Sequence, residues 1–447
     1  MTVAAVVAAV PLAACSSSTA PKAAAAEAKT FTYWSMWQES EPQAAVLKEA
    51  LAKYQAATGV TVTAEWHGRG VLDDVAAAVR AGKPVPDLTD GGITGILGAS
   101  AGGVAVANMA DVYKQPVPGE NQKLADVMPS KYLPLLTDHT GAVVMVPYEI
   151  ASEALFFDKT RFPQLSVNPP QTWDDFLAAL NTVKAKGQPA LALDPVPGDC
   201  ASWVEWMFER ELGPGQFKRT AEERDPTHVD GGSRWDDSRL LDGAKKLEAL
   251  VKGGYFAPGY AAEDTSENST HAKDQQNNWT AGKTAMILGG TRTPTETGRT
   301  DGVDAFLFPS MPDQGGGVRS DDSAAVDFFG FAVPKAGKNP AAAEKFILYF
   351  MNKDRLAAIS AEAGTMTPRT DIDAPKFLAA VQLALTNRTV FSDQDALMRD
   401  DSKWYTAVFE KDAVDFMTGK TPAPQFIARL KADSGTFWQG WPGAAGG

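Results

Sequence analysis

FTYWSMWQESEP, residues 31–42, joins the first predicted strand of this chain to its first predicted helix. Residues 31–35 are aromatic and β-prone, which predicts a short buried strand. Ser40 or Glu41 can cap the helix that follows, and Pro42 suits its first turn. A strand that runs directly into a capped helix is typical of an α/β sheet.

Apolar residues then recur at helical spacing until Gly59, and residues 60–66 alternate as a second strand. In open α/β sheets a ligand binds beyond the carboxyl ends of the strands. Trp34, Trp37 and Glu39 lie at such an end, so we expect them to contact a ligand. The alternatives are core packing for the two tryptophans and helix capping for Glu39.

Strands continue to alternate with helices along the rest of the chain. We expect them at residues 86–92, 142–149, 154–158, 190–193 and 324–333. The 142–149 strand is expected to stop at Pro147, because proline cannot donate a backbone hydrogen bond. A chain of 447 residues is too long for one ordinary domain. The predicted fold is therefore α/β with two lobes, each a sheet flanked by helices.

Composition excludes several classes of function. The net charge of -13 argues against a nucleic-acid partner, because phosphate binding needs a basic surface. No apolar run of about 18 residues follows the start of the chain, so we expect no membrane span. The four His show no metal-ligand spacing, and no nucleotide-binding glycine pattern occurs. We therefore expect neither a metal nor a cofactor. We also expect the protein to be a monomer.

The first residues predict an export signal. Residues 1–14 are apolar and end in small residues, as a secretory signal does. Leu-Ala-Ala-Cys, which ends at Cys15, resembles a bacterial lipobox, so Cys15 is expected to be lipidated and residues 15–29 to form a flexible tether. The alternative is an ordinary secretory signal. No Lys or Arg precedes the apolar run, as expected if the true start lies upstream.

Several separated segments carry the marks of one family. They are VPYE at 146–149, PPQTWDDF at 169–176, AGKTAM at 281–286, FGFAVPK at 329–335, NPAAAEKF at 339–346, AGTMTPR at 363–369 and GKTP at 419–422. In this order they resemble the extracellular solute-binding proteins of ABC importers, in the maltose-binding-protein-like branch that binds sugars. The resemblance covers about residues 30 to 431.

The resemblance implies a two-lobed periplasmic-binding-protein fold of type II. Lobe 1 would hold residues 30–152 and 331–372, and lobe 2 would hold residues 153–330 and 373–447. A carbohydrate would bind in the cleft, and closure of the lobes would present a surface to the permease subunits of an importer. Separate subunits would hydrolyse ATP. The lipid anchor would keep the protein at the outer face of the cytoplasmic membrane.

Further candidate contacts come from strand ends and from the resemblance. Asp90 ends the third predicted strand beside a Gly turn, with helix capping as the alternative. Tyr148 follows a strand near the lobe boundary, where family members often place polar or aromatic contacts. Trp203 and Trp206 are expected to open an aromatic helix, with one facing the cleft and the other packed in the core.

The last three candidates come from the second half of the chain. Arg292 stands where relatives often carry Trp, which indicates an anionic or heavily hydroxylated ligand group; the alternative is a surface arginine. Phe329 lies at the second predicted crossover, as part of the hinge or of the cleft floor. Trp404 resembles a late-helix Trp that stacks on sugar in the family.

Signals for catalysis are weak. GASAG at 98–102 matches the serine-hydrolase pattern, but a helix is expected before it, where that motif needs a strand. The adjacent Asp pairs point apart on a helix or strand, unlike the facing carboxylates of a glycosidase. We therefore expect a binding protein and no enzyme. A secreted carbohydrate-active hydrolase and a sensory sugar receptor of the same fold remain the alternatives.

Overall fold

The computed structural model describes, apart from Met1, residues 28–224, 233–261, 272–311 and 323–441. The predicted signal, Cys15 and the predicted tether up to residue 27 lie outside these residues. No helix within them is long and apolar enough to span a membrane. The strands are β1 (Thr30–Ser35), β2 (Thr61–Trp66), β3 (Leu88–Gly92), β4 (Val146–Ala151), β5 (Glu153–Asp158), β6 (Leu191–Ala192), β7 (Met286–Gly290), β8 (Val303–Phe306), β9 (Ser323–Ala332) and β10 (Thr389–Ser392).

Helices cover both sheets. They are α1 (Pro42–Thr58), α2 (Val71–Arg80), α3 (Ile93–Ala101), α4 (Ala110–Tyr113), α5 (Leu124–Val127), α6 (Arg161–Leu165), α7 (Trp173–Ala185), α8 (Pro197–Leu212), α9 (Gln216–Ala221), α10 (Ser238–Lys252), α11 (Asp274–Thr280), α12 (Thr293–Glu296), α13 (Pro340–Phe350), α14 (Lys353–Ala361), α15 (Ala379–Asn387), α16 (Leu397–Asp400), α17 (Ser402–Trp404), α18 (Glu410–Met417) and α19 (Ala423–Gln439). A π-helical turn at Tyr405–Phe409 joins α17 to α18.

The first sheet has the strand order β10-β9-β3-β1-β2, and β4 also pairs with β9. β1 and β2 are parallel, and α1 connects them, so the predicted strand–helix–strand unit is confirmed. α1 buries a stripe that includes Val46, Leu47 and Tyr54. It ends at Gly59, whose φ of 72° suits a residue without a side chain. We call this sheet and the helices on it lobe 1.

β4 departs from the sequence prediction. The strand does not stop at Pro147 but continues to Ala151. Its register against β9 shifts between Pro147 and Glu149, and such an irregularity accommodates a residue that has no N–H to donate. Gly330 of β9 lies against this point, where a side-chain carbon would approach the Pro147 Cα to 2.4 Å.

The second sheet has the strand order β6-β7-β5-β8, and we call it with its helices lobe 2. β4 ends at Ala151 and β5 begins at Glu153, so the chain passes from one sheet to the other at Ser152. On α7, Thr172 accepts a hydrogen bond from the Asp175 amide and the Asp175 carboxylate accepts one in return, which confirms the predicted cap.

Candidate functional site

A cavity of about 310 Å³ lies between the two lobes. We call it the inter-lobe cavity. Lobe 1 contributes the turn after β1, the start of α1 and Arg69, whereas lobe 2 contributes residues that follow β7. Its lining is Trp37, Ser40, Glu41, Pro42, Gln43, Arg69, Arg292, Thr295, Glu296, Ala363 and Thr365. The cavity lies beyond the carboxyl end of β1, where a ligand of an α/β sheet is expected.

Trp37 is fixed by a buried chain of hydrogen bonds. Its indole Nε1 donates to the Tyr148 hydroxyl at 2.6 Å, and that hydroxyl donates to Asp90 Oδ2 at 2.6 Å. Asp90 also accepts from the Tyr33 hydroxyl and from the Met36 amide. These five residues form what we call the Asp90 network. Tyr148 and Asp90, both predicted contacts, thus position Trp37 and lie behind it.

Burial raises the pKa of Asp90 to about 6, although its hydrogen bonds act in the opposite direction. Asp90 is fully buried and accepts hydrogen bonds on both carboxylate oxygens. A carboxylate that already accepts these hydrogen bonds has few lone pairs left to accept one from a ligand. The network therefore stabilises the end of β1 and holds the indole ring of Trp37 at the cavity.

Arg292 bridges the lobes. Its Nε donates to Glu149 Oε1 at 2.6 Å, and Glu149 Oε2 accepts from Gln43 at 3.2 Å. The guanidinium lies 3.8 Å from the ring centre of Phe329 and 5.3 Å from that of Trp37. The Arg292 side chain is only 18% exposed, so the alternative of a surface arginine does not hold. The structure thus brings Trp37, Arg292 and Phe329 together.

The other tryptophans divide between the site and the core. α8 begins at Pro197, so Trp203 and Trp206 lie inside the helix and do not open it. Trp206 is buried and donates from Nε1 to Glu153 Oε2 at 2.6 Å, so its indole N–H meets a carboxylate. Trp203 packs edge-on against Phe308 in the core of lobe 2, as the packing alternative states.

Three candidates lie away from the inter-lobe cavity. Trp34 stacks on His67 with ring centres 4.5 Å apart, beside a different cavity on the lobe 1 sheet. Glu39 is exposed and pairs with Lys48. Trp404 is fully buried and donates to Ser434. The structure therefore supports neither Trp34, Glu39 nor Trp404 as part of this cavity.

Sequence reasoning missed a group of acidic residues beside the cavity, which we call the carboxylate cluster: Glu153, Glu205, Glu209, Asp327 and Asp393. Glu153 accepts from Ser202 and from Trp206, and Glu205 accepts from the Tyr405 hydroxyl at 2.9 Å. Asp327 lies near enough to Arg292, which lines the inter-lobe cavity, for the guanidinium to lower its pKa.

Burial and mutual repulsion raise the pKa values across the cluster. Burial is the largest cause for Glu205, followed by the charges of Asp393 and Glu153. Burial likewise raises the pKa of Asp393, with Glu153 and Asp327 adding to it. The pKa of Asp327 rises to about 6, mainly through burial. Like charges raise one another's pKa in this way only when the carboxylates lie near one another.

One signal for the cluster was visible in the sequence and one was not. Ser202, Glu205, Trp206 and Glu209 fall at i, i+3, i+4 and i+7 on α8, so three polar side chains and one indole N–H share a face of this helix. Asp393 depends on β10, which was not predicted. It precedes three non-glycine residues with positive φ, Gln394 to Ala396, a strained turn of the kind found at functional sites.

Residues 37–354 match the sequence pattern of a family described as "bacterial extracellular solute-binding protein". The chain belongs to this family. AcbH, a bacterial solute receptor described with an exclusive preference for β-D-galactopyranose, has 17% identity and a TM-score of 0.71, with 91% of this chain and 97% of that chain covered. A probable secreted solute-binding lipoprotein of Streptomyces coelicolor has 14% identity and a TM-score of 0.72, with coverage of 91% and 98%.

Two further proteins are similar to this chain. The solute-binding protein RafE, solved with raffinose, has 17% identity and a TM-score of 0.67, with coverage of 92% and 99%. An uncharacterized ABC transporter extracellular-binding protein of Pyrococcus horikoshii is 27% identical over 140 residues, which span 29% of this chain and 31% of that protein. The solved structures share the fold of this solute-binding protein. The predicted two-lobed α/β fold of type II periplasmic binding proteins is confirmed.

Proposed function

We propose that this solute-binding protein captures a carbohydrate between its lobes and delivers it to the permease subunits of an ABC importer. The observation that carries the proposal is the inter-lobe cavity, in which Trp37 of lobe 1 faces Arg292 of lobe 2. Sugars present apolar ring faces and rims of hydroxyls, so an aromatic plate beside polar side chains suits them. The names of AcbH and RafE, which refer to galactopyranose and raffinose, support this ligand class.

Binding requires the lobes to move. Trp37 is fully buried, and the guanidinium groups of Arg69 and Arg292 lie 4.6 Å and 5.3 Å from its ring centre. A ligand therefore reaches the indole face only after the lobes separate, and closure then traps it. The Arg292–Glu149 ion pair is the contact that opening must break. The lobe boundary at 152/153 belongs to this proposal, whereas the predicted boundary at 330/331 falls inside β9, which pairs with β3 and β4 of lobe 1.

The protein would act as a receptor that performs no chemistry on its ligand. A lipid on Cys15 would hold it outside the cytoplasmic membrane, and separate ATPase subunits would drive transport. The extracellular family and the Streptomyces lipoprotein support that location. Mass spectrometry of the mature protein tests the anchor: a diacylglyceryl mass on Cys15 supports it, and an unmodified Cys15 contradicts it.

A melting-temperature screen over mono- and oligosaccharides tests the proposed function. A carbohydrate that binds only the folded form raises Tm by mass action. Titration calorimetry then compares Trp37→Ala with Trp34→Ala, a matched tryptophan that lies outside the inter-lobe cavity. We expect Trp37→Ala to weaken binding at least tenfold and Trp34→Ala to leave it unchanged. Equal affinity of the two variants, or release of shorter sugars during incubation, would overturn the proposal.

A further inference from the structure

The carboxylate cluster has hydrogen-bonding capacity that the described residues do not use. Glu205 Oε1 and Glu209 Oε1 are buried, and neither has a hydrogen-bond partner within the described part of the chain. The exposed fractions of these two residues are 3% and 2%. A buried acceptor without a partner costs free energy, so two on one helix face need an explanation. Glu153, Asp327 and Asp393 are only partly buried, so an incoming group can reach them, although each Glu153 oxygen already accepts one hydrogen bond.

The five acidic side chains of the carboxylate cluster come from four separate parts of the described fold. Glu153 comes from β5, Glu205 and Glu209 from α8, Asp327 from β9, and Asp393 from the turn after β10.

The nearby cations have partners of their own. Arg292 pairs with Glu149, and its charge also lowers the pKa of Asp327. Arg210 lies over the Trp206 ring, donates to backbone carbonyls and lowers the pKa of Glu209. Lys218 acts on Asp395 and pairs with Glu222. The five carboxylates of the cluster therefore outnumber the cations that act on them among the described residues.

We propose that the ligand carries a basic nitrogen, such as the ammonium group of an amino sugar, and that the carboxylate cluster binds it. The inference rests on the proposed function, because it names the ligand class of that same site. An ammonium group has three N–H donors and no acceptor, which suits several converging carboxylate oxygens. A hydroxyl has one O–H to donate, so it would satisfy one oxygen and would leave the excess charge uncompensated.

A positive charge on the ligand would strengthen its hydrogen bonds to the carboxylate cluster. A hydrogen bond between an ammonium and a carboxylate is roughly twice as strong as a neutral one. A bound cation also favours the ionised cluster, so carboxyl groups that hold a proton in the empty protein would release it on binding. Ionised Glu205 and Glu209 would then face a cation instead of one another.

A matched series of sugars tests the proposal. Titration calorimetry at pH about 6.5 compares the disaccharide of two glucosamines, its N-acetylated form and cellobiose, which differ only at the second carbon of each ring. Glucosamine, N-acetylglucosamine and glucose form a second series, and the galactose equivalents a third. We expect the amine to bind about ten- to hundredfold tighter than its neutral partners in at least one series.

Variants assign the effect to the cluster. Glu153→Gln and Asp393→Asn should erase the preference for the amine, whereas Glu49→Gln, on the outer face of α1, should keep it. Melting curves establish that each variant is folded. The titration is then repeated in two buffers with different ionisation enthalpies. Binding of the amine sugar should release protons, whereas binding of the neutral sugars should not. A purely structural role of the carboxylate cluster would produce no such difference.

The outcomes separate the two claims. If neutral sugars bind and no amine is preferred in any series, the inference about the nitrogen is wrong and the proposed function stands. If no carbohydrate of any series binds, both are wrong. An amine preference that survives Glu153→Gln and Asp393→Asn together would also overturn the role of the cluster.

Discussion

The Asp90 network and the carboxylate cluster are two groups of buried acids with opposite hydrogen-bonding states. Asp90 receives two tyrosine hydroxyls and a backbone amide within its own lobe. In the cluster, Glu205 and Glu209 each keep a buried oxygen without a partner among the described residues. The first arrangement is complete without a ligand and serves the fold. The second is incomplete, and an incomplete polar group is what a ligand can complete.

The largest effect is expected at Asp90. Asp90→Ala strands the hydroxyls of Tyr33 and Tyr148 and the amide of Met36 in a buried site, at about 1 kcal/mol or more each. We expect the free energy of unfolding to fall by about 3–5 kcal/mol, as measured by urea titration. Asp90→Asn, which keeps one acceptor oxygen, should cost clearly less. A loss below about 1 kcal/mol for Asp90→Ala would show that the network does not stabilise lobe 1.

The pH dependence of stability is next in size. In the unfolded chain, Asp90 releases its proton near 3.8, whereas burial keeps the proton on the folded protein up to a pKa of about 6. A raised acid pKa penalises the folded state once pH exceeds the unfolded value, so the free energy of unfolding falls as pH rises from about 4 to about 6. The shift of Asp90 corresponds to about 3 kcal/mol.

Asp327, with a pKa of about 6, adds to the same trend in the ligand-free protein. Urea titrations at several pH values measure it, and Asp90→Asn should remove part of the slope. Stability that rises with pH over this window would contradict the assigned pKa directions. A ligand amine should flatten the slope, because it compensates the ionised cluster but leaves Asp90 unchanged.

Glu205→Gln tests whether Glu205, unlike Asp90, lowers the stability of the ligand-free protein. Gln keeps an acceptor for the Tyr405 hydroxyl and removes a buried charge that faces Glu153 and Asp393. We expect this variant to be about 1–2 kcal/mol more stable than the natural protein at pH about 7.5, and to bind its ligand more weakly. The opposite sign, a less stable variant, would mean that Glu205 serves the fold as Asp90 does.

The smallest effect on stability concerns the bridge between the lobes. Arg292→Ala removes the bond to the buried Glu149 carboxylate and favours the open form. An unpaired buried charge costs roughly 3–5 kcal/mol, but opening lets water reach Glu149, so we expect a net loss of about 1 kcal/mol. Small-angle X-ray scattering should show a larger radius of gyration for the ligand-free variant. Arg299→Ala is the matched control, because Arg299 also pairs with a carboxylate and lies over a tryptophan, but within lobe 2. Equal radii for both variants would show that Arg292 does not hold the lobes together.

The fold could largely be predicted because it depends on local periodicity. The aromatic strand, the stripe on α1 and the Thr172 cap are short-range patterns, and each appears where expected. β10 was missed because its four residues carry too little pattern. β4 was cut short because the bulge that tolerates Pro147 depends on its pairing with Gly330 of β9.

The site could be predicted only in part, because it depends on the direction of side chains. Trp34 and Trp37 are three residues apart, yet one stacks on His67 and the other reaches Tyr148. Trp203 and Trp206 share a helix, and the position of Glu153 on β5 decides which of them meets a polar partner. Such differences arise from tertiary packing, which composition and spacing do not contain.

A crystal structure of the protein with a carbohydrate from the melting screen would show where the ligand binds. We expect a sugar ring between the lobes, in contact with Trp37, and with polar groups within about 3 Å of Glu153 or Asp393. A sugar bound beside Trp34 on the outer surface of lobe 1, with the inter-lobe cavity empty, would contradict the proposed site.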